Sequence, residues 1–195
     1  MGPTAMVLLR NRLIDKEVED IKQVLKEISE EVEKDEIWDW EFSVTDTTPI
    51  SGKYKGEGRP FGLLIKELDL EAKQLIILEK EFGFQPQQEI ELDAMCNSKE
   101  DHRILGELLL YLAQRYNSII DFNGAILPPT ISVKQFLNSS WDELSNEFNF
   151  WVKDMPGRIY SLEYFTGGNK LWASHIADTV FLQFWLTHPH FHMIK

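Results

Sequence analysis

The chain predicts an α+β fold: a mixed or antiparallel sheet, helices packed mainly on one face, and a C-terminal helical extension. Three observations carry this expectation. Apolar residues recur at period two in some segments and at three and four in others, so strands and helices are both present. Strand segments follow one another near residues 37–68, which breaks the alternation that a doubly wound parallel sheet needs. The first long helix has one apolar stripe and densely charged remaining faces, as a layer over a sheet requires. The order suggests an elaborated split βαβ plan. The 195 residues are read as a single domain, with a sheet–helix core over 1–127 and a helix–strand–helix extension over 128–195.

Element by element, "TAMVLL" (4–9) reads as a central strand, apolar on both faces. "DKEVEDIKQVLKEISEEVE" (15–33) reads as a helix, with Val18, Ile21, Leu25, Ile28 and Val32 on one stripe. "IWDWEFSV" (37–44) alternates, with Trp38, Trp40, Phe42 and Val44 on one side. "TDTTPISGKYKGEGRP" (45–60) is a glycine-rich loop or long hairpin connection, and it lacks the Gly-Lys-Ser/Thr ending of a phosphate loop. "FGLLIKEL" (61–68) is a strand, and 69–84 is a short helix ending near Gly83. "QEIELDAMC" (88–96) is a strand. "SKEDHRILGELLLYLAQRY" (98–116) is a helix that Ser98 and Asp101 cap. "SIIDFNGAIL" (118–127) is a strand.

Beyond the Pro-Pro break, 139–152 is a helix with a Ser140-to-Glu143 capping box, and 157–165 is a strand. "TGGN" is a turn, and "KLWASHIADTVFLQFWL" (170–186) is an apolar helix stopped before Pro189.

Composition narrows the function. Hydrophobic residues make up 43% of the chain, enough for a full core. The formal charge of −12 repels phosphate backbones and anionic lipid, so neither nucleic acid nor membrane is the expected partner; a basic protein is. No run of 18 uncharged apolar residues occurs. One cysteine, Cys96, fits a reducing compartment, and the start "MGPTAMVLL" has no secretion signature, so the cytoplasm is the expected location.

Two groups of residues could carry chemistry. The first is His175, Asp178, His188, His190 and His192. On a helix, His175 and Asp178 would point the same way. On an extended tail, the other three imidazoles would share a face. Three imidazoles and a carboxylate would suit Zn²⁺. The outer tail histidines of a straight strand stand roughly 12 Å or more apart, so one ion would need a bend, which Pro189 favours. The competing reading is a docked tail, because Pro189, Phe191, Met193 and Ile194 are packing residues. In that reading Asp178 is a hydrogen-bond acceptor for a buried histidine. The second group is Asp121, Asn123 and His102. Asp121 sits in an apolar strand, where an ionised carboxylate needs donors: Arg103, Arg115, His102 or backbone amides of the next turn.

"DHRILGELLLYLAQRYNSIIDFNGAI" (101–126) and "GGNKLWASHIADTVFLQFWLTHPHFHMIK" (167–195), with the opening "MGPTA", resemble an uncharacterised family of bacterial proteins. The resemblance covers most of the chain and brings no catalytic residues with it. Asn117-Ser118 stands where that pattern has glycine before Ile-Asp-Phe, which weakens the reading of this turn as a tight ligand clamp. Similar helix-to-Ile-Asp-Phe patterns occur in small acidic proteins that look like immunity partners of bacterial toxins. The resemblance therefore implies a protein-binding role, neutralising a basic toxin domain, without catalysis and without a cofactor. The alternatives are a metal-dependent hydrolase built on the C-terminal His/Asp group and a structural or oligomeric protein.

Overall fold

The computed structural model describes residues 2–166 and 170–194. The "TGGN" turn therefore lies mostly outside the described residues. Among the described residues eight strands form one sheet: β1 (Thr4–Leu9), β2 (Ser29–Glu33), β3 (Trp40–Asp46), β4 (Lys55–Lys66), β5 (Gln88–Ala94), β6 (Ile119–Asp121), β7 (Ile159–Phe165) and β8 (Leu171–Ala177). Their spatial order is β2-β3-β4-β5-β1-β6-β8-β7, and every adjacent pair is antiparallel. Among the described residues six helices accompany them: α1 (Asp15–Ile28), α2 (Ala72–Phe82), α3 (Lys99–Arg115), α4 (Val133–Asn138), α5 (Trp141–Val152) and α6 (Thr179–Trp185).

The pairing reproduces the split plan. β5 and β6 run parallel with β1 between them, and α3 connects them. β1 and β2 also run parallel, linked by α1 and separated by β3, β4 and β5. A helical crossover between non-adjacent parallel strands lets an antiparallel neighbour fill the gap.

The α1, α3 and α6 layer covers one face. Ile21, Leu25 and Ile28 of α1 and Ile104, Leu105, Leu108 and Leu112 of α3 share a core with Val7, Phe42, Leu92 and Ile120. The opposite face carries α2, whose Leu78 packs with Leu8, Ile119, Leu162 and Ile176. A third cluster joins Trp141 and Phe148 of α5 to Ala173 of β8.

Capping follows the sequence at α3. Ser98 Oγ accepts from Asp101 N–H, and an Asp101 oxygen accepts from Ser98 N–H at 2.6 Å. Arg59 Nε lies 3.1 Å from the buried Asp101 carboxylate, which offsets its burial. The 45–60 segment is a 3-10 turn, Thr48–Ile50, followed by the first half of β4. Buried Glu107 pins it, accepting from Thr47 Oγ1 at 2.6 Å and Lys53 N–H at 2.9 Å. A carboxylate at its centre is the opposite of a phosphate cradle.

Three expectations are corrected. The helix expected over 15–33 ends at Ile28, and Ser29–Glu33 becomes the edge strand β2. The ladder to β3 prevails over the helical period, and Val32 still reaches the core from it. The helix expected over 170–186 is a strand, β8, and then a short helix, α6. A strand buried on both faces is as continuously apolar as a buried helix. Asp178 marks the switch, accepting from Phe181 N–H at 2.8 Å as the N-cap of α6. Helix α4 falls in a stretch where no element was expected.

Two glycines separate backbone freedom from space. Gly83 (φ 82°) ends α2 in the left-handed region, with open space where a Cβ would sit. Gly157 (φ 84°) precedes β7, and a Cβ there would overlap the Phe181 backbone and Asp178 Oδ1 at the start of α6. Gly83→Ala is expected to cost about 1 kcal/mol, and Gly157→Ala about 2–3 kcal/mol. Chemical-denaturation midpoints of the two variants check the ranking.

Candidate functional site

The His/Asp group expected at the C-terminus does not converge. His175 points from β8 into the α5 cluster and is fully buried (0% exposed). Its ring stacks on Phe148 at 3.8 Å and meets Trp141 edgewise at 5.3 Å. Nδ1 accepts from Ile126 N–H at 2.9 Å, so the neutral ring carries its proton on Nε2. Nε2 has no hydrogen-bond partner among the described residues. Burial drives the His175 pKa down to about 3. Asp178 is spent on the α6 cap rather than on a histidine.

The tail turns back after α6, and its imidazoles serve that turn. His190 N–H donates to His188 Nδ1 at 3.2 Å, and His192 Nδ1 donates to the His190 carbonyl at 2.9 Å. Trp185 Nε1 donates to the His192 carbonyl at 3.0 Å, and His188 stacks on Trp185 at 4.9 Å. His102 of α3 receives the end of the chain: Met193 N–H donates to His102 Nδ1 at 2.8 Å. His102 Nε2 faces Asn97 Oδ1 at 3.1 Å.

The Zn²⁺ expectation is corrected here. Among the described residues no group of three or more His, Cys, Asp or Glu side chains is placed to hold a metal ion. The physical reason is division of labour: His175 belongs to an aromatic layer, Asp178 caps a helix, and ring nitrogens of His188 and His192 are committed to the tail's own backbone. The hydrolase built on this group loses its basis.

Asp121 and Asn123 remain together, and His102 separates from them. β6 sends Ile120 to the α3 side and Asp121 to the α2 side, because strand side chains alternate. Asp121 lines a cleft of about 480 Å³ with Asn123, Ser174, Tyr164, Phe165 and Lys73. β6 and β8 are neighbours, so Ser174 stands beside Asp121 and donates its hydroxyl to Oδ1. Asn123 N–H donates to the same oxygen at 2.8 Å. Of the donors anticipated, the backbone amide of the next turn is the one used. Asn123 takes φ 54°, which an asparagine tolerates and which aims its amide back at the carboxylate.

Electrostatics single this carboxylate out. Asp121 is 5% exposed, and burial raises its pKa to about 6 against the two hydrogen bonds, with the Glu89 charge adding to the rise. Glu89 and Asp93, on the same sheet face, are also raised by burial. Lys66 bridges Glu89 at 3.1 Å and pairs with Glu91. The Tyr164 hydroxyl is pushed up by burial and by the Asp121 charge. At the rim Tyr164 is 37% and Phe165 65% exposed. Asp69 and Glu71 stand at the opposite lip.

Sequence reasoning missed Ser174, Tyr164 and the α2 lip. The available signal was strand alternation at 171–177, which puts Ser174 in phase with Ile176. Placing it beside Asp121 also required knowing that β6 and β8 pair.

No helix among the described residues is long and apolar enough to cross a membrane. No curated protein and no solved structure matches the chain. A match to one family covers residues 1–195, without any counterpart to the immunity-protein likeness. The chain belongs to that family, the family of unknown function DUF6368.

Proposed function

We propose that this protein binds a basic protein, and that the Asp121 cleft receives an arginine- or lysine-bearing segment of it. The supporting observation is the cleft's composition. Asp69, Glu71 and Asp121 share the lining with one lysine, Lys73, which Glu71 already holds at 2.8 Å. Tyr164 and Phe165 supply ring faces for a cation. The lining is thus net negative within a chain of charge −12. Such a field speeds encounter with a cationic partner, and a desolvated carboxylate beside aromatic rings gives a guanidinium both charge and stacking. Neutralisation of a toxin domain is the biological form of this role that the sequence resemblance suggests. Catalysis forms no part of it.

Fluorescence anisotropy with a labelled arginine-rich peptide and a glutamate-rich control tests the reading. The arginine-rich peptide is expected to bind, and more weakly as salt rises. Replacing Tyr164 and Phe165 together by alanine is expected to weaken it about tenfold, as loss of a desolvated cation–aromatic contact does. Equal affinity for both peptides, or an unaffected double variant, would sink the proposal.

A further inference from the structure

A second cavity, of about 380 Å³, lies between the first turn of α3 and the returning tail. Lys99, His102, Arg103, His188, Phe191 and His192 form most of its wall, and among the described residues its lining contains no aspartate or glutamate. That is unexpected in a chain with 32 acidic and 20 basic residues. The carboxylates nearest in sequence are engaged elsewhere: Asp101 pairs with Arg59 at 3.1 Å, and Glu100 lies 3.8 Å from the same guanidinium. Arg12, Arg59 and Arg115 each face a carboxylate. Arg103 makes no ion pair among the described residues and lines this cavity.

The tail fixes which imidazole nitrogens are available. His188 Nδ1 accepts from His190 N–H, so its neutral form presents Nε2–H as a donor. His192 Nδ1 is held as a donor to the His190 carbonyl, so its neutral ring carries no hydrogen on Nε2. His102 is spent on Met193 N–H and Asn97. Arg103, Lys99 and His188 are left as donors, with Phe191 and Pro189 as apolar wall.

We infer that this cavity is a binding site for the phosphoryl group of a small molecule. A guanidinium, an ammonium and an imidazole N–H match a dianion better than a single carboxylate charge. The volume admits a phosphate with a short organic substituent. Inorganic phosphate and a phosphomonoester share this chemistry. The site is separate from the Asp121 cleft and independent of the partner proposed for it.

Isothermal titration calorimetry of the full chain at fixed ionic strength, with inorganic phosphate, glycerol 1-phosphate and acetate, tests the site. Saturable binding of a phosphate compound is expected, with none for acetate. Arg103→Gln is expected to weaken it at least tenfold and Lys99→Gln severalfold, while Asp121→Asn leaves it unchanged. Tighter binding of the ester identifies a phosphorylated small molecule as the ligand, and tighter binding of inorganic phosphate identifies the free anion. No saturable heat from either phosphate compound at millimolar concentration would overturn the assignment. So would acetate binding equally well, or both variants binding as the wild type does.

Discussion

Asp121→Asn is expected to stabilise the protein by about 2–3 kcal/mol at pH 7 and by almost nothing at pH 4. The carboxyl titrates near 6 when folded and from an ordinary value of 3.8 when unfolded; each unit of difference is worth about 1.4 kcal/mol. Because the folded value is the higher one, the native state holds the proton longer. Its contribution is present below pH 4 and is lost as pH rises through 6. The asparagine oxygen still accepts from Asn123 N–H and the Ser174 hydroxyl, so the variant removes the buried charge and keeps the bonds.

His175 works in the opposite direction. Its folded value near 3 lies below the ordinary 6.5. The stability it allows is present above 6.5 and is lost as pH falls toward 3. Between pH 4 and 6 the two groups oppose each other, so the wild-type profile is flattened there. Asp121→Asn exposes the His175 dependence and steepens acid unfolding. Urea midpoints at pH 4, 5, 6 and 7 for wild type and variant check this. Parallel profiles would show that Asp121 is not desolvated.

Trp185→Ala is the other large effect, a loss expected at about 3–5 kcal/mol, as for truncating a buried large aromatic. Trp185 is fully buried between Trp151 at 5.7 Å, Phe181 at 6.4 Å and Phe191 at 6.1 Å. It also donates its indole N–H to the His192 carbonyl. The variant therefore removes core packing and the clamp on the tail together. Trp185→Phe keeps most of the ring area and loses the hydrogen bond, so about 1–2 kcal/mol is expected. Calorimetric unfolding gives the energies. Amide exchange at Met193 reports tail release separately, because that amide is bonded to His102.

The sheet–helix core was legible because its signals are local. The Ser98–Asp101 cap, the Gly83 stop and the leucine stripe of α3 each specify one element from adjacent residues. β2 and β8 were not legible. Val32 satisfies both a helical and a strand position, and 171–177 mixes apolar residues with one polar residue on each face, Ser174 and His175, so only pairing partners decide. The sites divide in the same way. Asp121 and Asn123 stood out because a carboxylate in an apolar strand demands donors wherever the strand lies. The His175–Asp178 pair was misread because its supposed proximity depended on a helical phase that the strand abolishes. The tail histidines are close in sequence, but their turn commits ring nitrogens to the backbone. That explains both the lost metal site and the donor geometry of the second cavity.

The most direct measurement is the titration of the Asp121 carboxyl carbon by NMR, free and with saturating arginine-rich peptide. The account predicts a midpoint near 6 in the free protein, falling by a unit or more when a cation occupies the cleft and stabilises the ionised form. A midpoint unchanged by bound peptide would place the cation elsewhere and contradict the cleft as the binding site.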